Sequence, residues 1–153
     1  MSADKPLLGW REWVRLPELG LQPIRAKIDT GAKTGALHAF YVEPFRQADA
    51  SWVRFGIHPQ PNRHDLVVHC TAPLVDHRVV TDSGGHREAR YVIETELLLG
   101  EHRFRTEITL TDRDTMRFRM LLGRNALAGF VIEPARSYCL GRRRPAKRSQ
   151  HPL

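Results

Sequence analysis

The triplet Asp29-Thr30-Gly31 follows a run in which Ile24, Ala26 and Ile28 alternate with Arg25 and Lys27. A carboxylate at the end of a strand, held in a tight turn, can fix a water molecule or a proton in one place. Gly31 lets the backbone fold back closely, and Thr30 brings a hydroxyl that can fix the loop. One carboxylate alone is a poor hydrolytic device. General acid–base hydrolysis needs one group to take a proton and another to give one. A second triplet, Asp82-Ser83-Gly84, lies 53 residues further on, but Gly85 and His86 follow it rather than an apolar strand. Asp82 therefore reads as a turn residue. Asp-Thr-Gly by itself also fits an Asx-type turn closing a hairpin.

The surrounding periodicity is two rather than 3.6. Val53, Phe55 and Ile57 alternate with Trp52, Arg54 and Gly56. Tyr91, Ile93, Thr95, Leu97 and Leu99 form one face of a long strand whose other face carries Glu94 and Glu96. Phe104, Thr106, Ile108 and Leu110 alternate with Arg105, Glu107 and Thr109. Each pattern is that of a half-buried strand. Gly100-Glu101 joins the last two with Gly first, as a type II′ hairpin turn prefers. The only helix expected is short, from Arg124 to Gly129, after the apolar run Met120-Leu121-Leu122-Gly123. The pattern predicts an all-β domain of short strands, a barrel or a sandwich.

At 153 residues and 41% hydrophobic content the chain can form one domain with a core. No apolar run reaches membrane-spanning length, so no membrane partner is expected. The first ten residues carry no basic-then-apolar signal pattern, and Cys70 and Cys139 sit in no Cys-x-x-Cys. Both points favour a reduced, cytoplasmic setting. The net charge is +7, yet five of the 24 basic residues and none of the 17 acidic ones follow Gly141, which leaves 19 against 17 before it. The expected layout is an N-terminal arm at 1–7, a folded domain at 8–140 and a disordered basic tail at 141–153. Such a tail could contact RNA or the ribosome through phosphates, or simply keep the chain in solution.

Three blocks sharpen this. They are AKIDTGAKTGALHA at 26–39, CTAPLVDHRVVTDSGGHREARYVI at 70–93 and TLTDRDTMRFRMLLGRNAL at 109–127. A strand ending in Asp-Thr-Gly-Ala, followed about 90 residues later by apolar residues, Gly123-Arg124 and a short helix, resembles the retropepsins, small dimeric aspartic proteases. Together the blocks resemble the bacterial family that bears the name ATP-dependent zinc protease and is classed as retropepsin-like, over roughly residues 8 to 140. Gly35 departs from that family, which usually has Ser there.

The resemblance implies a closed retropepsin-like barrel with one short C-terminal helix. It also implies a homodimer. The triplets at Asp29 and Asp82 are too close to serve two lobes of one chain, so Asp29 from each of two copies would form the dyad. Two adjacent carboxyls share one proton; one activates water and the other protonates the scissile carbonyl. Asp29, Thr30 and Gly31 are the expected catalytic loop, and Ala32, Lys33, His38 and Arg124 the expected substrate-binding residues. Gly84, Gly85, His86 and Arg90 belong to the expected flap. Ala32 has no hydroxyl to lower the pKa of the carboxylate, which favours activity near neutral pH. Viral retropepsins commonly carry Asp where this chain has Lys33. A cationic residue there, with Arg124, would make the groove basic and favour acidic peptides. The family's link with ATP-grasp glutamate ligases points the same way, to a glutamylated protein whose glutamate tail is trimmed.

Two other readings are carried forward. One is a non-catalytic barrel domain that binds acidic peptides or the ribosome. The other is a zinc-dependent hydrolase, prompted by the family's older name. No His-Glu-x-x-His occurs, and His69 and Cys70 on one strand would point to opposite faces. No phosphate-binding Gly-x-x-x-x-Gly-Lys-Ser/Thr loop exists for ATP. The expectation is therefore no cofactor and no metal.

Overall fold

The computed structural model describes residues 4–82, 84–113 and 117–141. Eleven strands follow in chain order: β1 (Leu7–Leu8), β2 (Arg11–Val14), β3 (Ile24–Ile28), β4 (Gly35–His38), β5 (Tyr41–Gln47), β6 (Ala50–Ile57), β7 (Val68–Thr81), β8 (Arg87–Leu99), β9 (His102–Thr111), β10 (Met120–Leu122) and β11 (Val131–Ile132). One 3-10 turn covers Pro17–Leu19 and one short helix, α1, covers Arg124–Leu127. Residues 142–153, most of the expected tail, lie outside the described residues.

The alternating strands fall where the periodicity puts them. Ile24, Ala26 and Ile28 are buried on β3, and Val53, Phe55 and Ile57 on β6. On β8 the buried set is Ile93, Thr95, Leu97 and Leu99, joined by Arg90, Val92 and Leu98 from the other face. β8 and β9 close with Leu99 opposite His102. Gly100 has φ 61°, while Glu101 is not among the residues with positive φ. That matches a II′ turn and excludes I′, which needs both.

Nine strands form one sheet in the order β2-β3-β10-β4-β9-β8-β7-β6-β5, and β1 pairs in parallel with β11. The expected closed barrel is not found. The sheet curls until Arg15 and Leu98 exchange backbone hydrogen bonds at 3.1 and 2.9 Å, but that contact stays an isolated bridge. The physical reason lies two residues on. Pro17 has no N–H to donate and opens a 3-10 turn, so β2 cannot extend along β8.

β7 carries two jobs. Its first half, up to Pro73, pairs with β6, and its second half pairs with β8 beyond a bulge between Leu74 and Asp76. β9 pairs β8 only from Val92 onward, so Asp76 to Thr81 and Arg87 to Tyr91 project as a two-stranded arm.

A buried carboxylate closes the other end of the fold. Glu12 on β2 is fully buried and accepts hydrogen bonds from the amides of Gly9 (2.7 Å), Cys139 (2.9 Å) and Leu140 (3.2 Å). It ties the C-terminal segment to β2. Removing it leaves one buried and two part-buried amides without their acceptor, so Glu12→Ala should cost about 3 kcal/mol in urea unfolding. A loss under about 1 kcal/mol would show that the carboxylate is not what holds this segment.

Candidate active site

Asp29 stands immediately after β3. Its amide donates to the Leu122 carbonyl (2.9 Å), which continues the β3–β10 pairing by one residue. Its Oδ1 accepts the Gly31 amide at 3.0 Å, and its carbonyl accepts the Ala32 amide at 3.3 Å. The carboxylate is thus held in an Asx turn with Oδ2 directed elsewhere, and the residue is half-buried.

The loop from Asp29 to Gly35 is pinned against the junction of β10 and α1. The amides of Arg124 and Asn125 donate to the carbonyls of Ala32 (2.8 Å) and Lys33 (2.9 Å), and the Arg124 guanidinium donates to the Thr30 carbonyl at 3.0 Å. A Cβ at Gly35 would lie 2.4 Å from the Leu121 carbonyl oxygen, and one at Gly123 would lie 2.6 Å from the Thr34 carbonyl carbon. The two glycines let two backbones cross with no side chain between them. The Ser that the family usually carries at Gly35 would require β10 to stand further off.

Asp29, Ala32, Thr34 and Ala36 share a pocket of about 90 Å³ with Val80, Thr81, Asp82 and Arg90 of the projecting arm, and with Thr111 and Arg113 after β9. Of the expected flap residues, Arg90 lines this pocket and Gly84, Gly85 and His86 do not. Gly84 and His86 are exposed and close the arm's turn by donating their amides to Asp82 Oδ1, each at 2.9 Å. Gly85 in the same turn has φ 85°. Arg90 is buried, with its guanidinium on Glu88 (3.1 Å) and Thr109 Oγ1 (3.3 Å).

The remaining expected site residues are placed differently from one another. Thr30 and Lys33 are exposed, and neither lines this pocket. Arg124 is exposed and directed at the Thr30 carbonyl. His38 is fully buried on β4; its Nδ1 accepts the Arg113 amide at 3.0 Å, which puts the ring proton on Nε2. Of the residues once weighed for zinc, His69 is exposed against the Tyr41 hydroxyl, while Cys70 is buried and donates to the Leu19 carbonyl. Burial pushes the Cys70 thiol up to about 11. Among the described residues no group of three or more His, Cys, Asp or Glu is placed to hold a metal ion. Nor does any described helix have the length and apolarity to cross a membrane.

The sequence reading did not include Arg113. It forms an ion pair with Asp82, across from the arm to the end of β9. Asp82 is more than a turn residue. The His86 amide first, then the Arg113 guanidinium and the Gly84 amide, hold its carboxyl down at about 2. Its only sequence signal was the Asx pattern Asp-x-Gly-x-His, which marks a turn and says nothing of a cation 31 residues away.

A family model described as retropepsin-like aspartic endopeptidase RimB matches residues 7–143. The chain belongs to the RimB-like family of retropepsin-like aspartic endopeptidases. It is 40% identical over 142 residues to a protein of Shewanella halifaxensis named as a probable alpha-L-glutamate ligase, covering 92% of this chain and 31% of that one. A protein of the same name from Parasynechococcus marenigrum is 44% identical over 138 residues, covering 90% and 30%. The chain thus spans less than a third of the length of the curated relatives it matches. A crystal structure of Lpg0085, a Legionella pneumophila protein of unknown function, superposes with a TM-score of 0.73 at 23% identity, over 88% of this chain and 98% of that one. That likeness concerns the fold.

The arm's anchor makes a pH-dependent prediction. The Asp82 carboxyl titrates near 2 in the folded chain against an ordinary 3.8, so its contribution is complete above about 4 and is lost as pH falls through about 2. Asp82→Asn should speed amide exchange at Gly84 and His86 at pH 6, and the difference from wild type should shrink as pH approaches 2. Equal protection at pH 6 would mean that the arm is held by its ladder alone.

Proposed function

We propose that the chain is an aspartic endopeptidase that acts as a homodimer, with Asp29 of each copy forming the catalytic dyad. The observation that carries this reading is the contrast between the two carboxylates of one pocket. Asp82 is engaged by two amides and a guanidinium and stays ionised, so it is a poor proton donor. Asp29 has one oxygen fixed by the Gly31 amide and is half-buried in its turn. An aspartic mechanism needs one ionised and one protonated carboxyl close together, and two equivalent Asp29 side chains sharing one proton supply both.

In this reading the ionised Asp29 takes a proton from a water molecule. The water oxygen attacks the scissile carbonyl, the protonated Asp29 gives its proton to the carbonyl oxygen, and the resulting diol collapses as a proton passes to the leaving amine. No covalent intermediate forms. The arm with Val80, Thr81 and Arg90 covers the substrate and limits access of bulk water.

The substrate in this reading is a glutamate chain attached to a protein. What supports it is that a segment like this chain makes up under a third of the length of proteins named as probable alpha-L-glutamate ligases. The cations that line the Asp29 pocket are Arg90 and Arg113, in place of the Lys33 and Arg124 pair expected from sequence.

Mass spectrometry of a peptide with an oligo-glutamate tail, incubated near neutral pH with excess chelator, tests this. Wild type should shorten the tail, and Asp29→Asn should lower the rate by at least about a thousandfold. Cleavage that survives Asn at position 29, or that stops with chelator alone, would overturn the aspartic mechanism.

A further inference from the structure

At the opposite end of β3 from Asp29, Arg25 helps line a groove of about 580 Å³. Four residues of extended chain separate Arg25 from Asp29, roughly 13 Å. No residue lining this groove lines the Asp29 pocket.

The groove's chemistry is lopsided. Arg25, Arg63, Arg117 and Arg119 line it, and among the described residues no Asp or Glu does. The chain up to Gly141 is close to charge balance, so this is a local concentration of cations. Trp13 and Tyr138 line the groove as well, and the buried Phe118 is in contact with Arg25. The Arg25 guanidinium lies 5.2 Å from the centroid of the Phe118 ring, Trp13 stacks on Tyr138 at 6.0 Å, and Arg11 lies 4.9 Å from the centroid of the Tyr138 ring. Arg63 is held by Asp65 at the rim, with N–O distances of 3.0 and 2.8 Å. Leu66, prolines and the exposed Val67 add an apolar surface. In sequence, Tyr138 stands four residues before the run Arg142, Arg143, Arg144, Lys147 and Arg148.

We propose that this groove binds single-stranded RNA, with the Arg25 and Arg117 guanidinium groups on phosphates and the apolar and aromatic surface against bases. Arg rather than Lys at every cationic position suits planar, paired recognition of phosphate. Guanidinium groups beside aromatic rings are the usual composition of a sequence-tolerant RNA channel. A chain of carboxylates would satisfy the charge but would leave the apolar surface unused, whereas nucleobases use both. This site is independent of the Asp29 chemistry.

The test is fluorescence anisotropy of a labelled RNA of about 12 nucleotides with the full chain, at two salt concentrations. Neutralising about two phosphates of a single strand, one each by Arg25 and Arg117, implies roughly a sevenfold loss of affinity between about 50 and about 200 mM salt. Arg25→Ala combined with Arg117→Ala should weaken binding at least about tenfold and flatten that slope. Because Arg25 also packs on Phe118, Asn62→Glu is the second variant. It removes no aromatic contact, adds one negative charge to the groove wall, and should weaken RNA binding without changing the melting temperature. Unlabelled oligo-glutamate should compete poorly. The proposal is overturned if wild type does not bind at the lower salt, if both variants bind like wild type, or if oligo-glutamate displaces the RNA as well as unlabelled RNA does.

Discussion

Two backbones cross between Gly35 and Gly123 at a distance that admits no Cβ on either side. The rest of the site depends on that contact. It lets β10 lie between β3 and β4, parallel to one and antiparallel to the other. It also brings the amides at the start of α1 under the carbonyls of Ala32 and Lys33. The Asp29 loop is then held from below by main chain, and Arg124 holds it from the side through the Thr30 carbonyl. A carboxylate on a free loop would sample many directions. Here several of the loop's backbone groups are hydrogen-bonded within the chain, which restricts the directions open to the Asp29 carboxylate.

The arm above the loop is fixed in a related way, from a different element. His38 is buried on β4 and accepts the Arg113 amide; Arg113 turns its guanidinium to Asp82; Asp82 gathers the two amides of the arm's turn. A buried imidazole thus sets the position of the cation that steadies the flap. The pocket separates two tasks between two carboxylates. One is kept ionised by its partners and serves structure. The other accepts the Gly31 amide on one oxygen and is the carboxylate proposed for the chemistry.

Much of this was legible in the sequence. Strict alternation gave β3, β6, β8 and β9, because one face of each packs on the core, although the second face of β8 and β9 is also partly buried. Gly-Arg after an apolar run gave α1, and the three blocks together gave the family. What stayed hidden depends on contacts between distant residues. Pro17 looks like any loop proline until Arg15 meets Leu98, so sheet closure could not be judged. The turn at Ala48-Asp49 has φ 53° and 65° without Gly or Asn in first place, and so carries no turn signal. Glu12 sits in Trp10-Arg11-Glu12-Trp13-Val14, where nothing hints at a buried carboxylate. Lys33 and Arg124 look like the cations of the site because they neighbour its motifs, yet Arg90 and Arg113 line the pocket, brought there by the β8–β9 and β4–β9 pairings.

The central claim is that one catalytic centre needs Asp29 from two chains. The most direct test is to titrate a fixed, low amount of wild-type protein with increasing Asp29→Asn protein, and to follow cleavage of an oligo-glutamate peptide. If the dyad is shared, mixed dimers hold a single ionisable Asp29, and activity should fall toward zero as the variant comes into excess. Activity that stays constant throughout would mean that each chain is catalytically complete by itself, and would contradict the shared dyad.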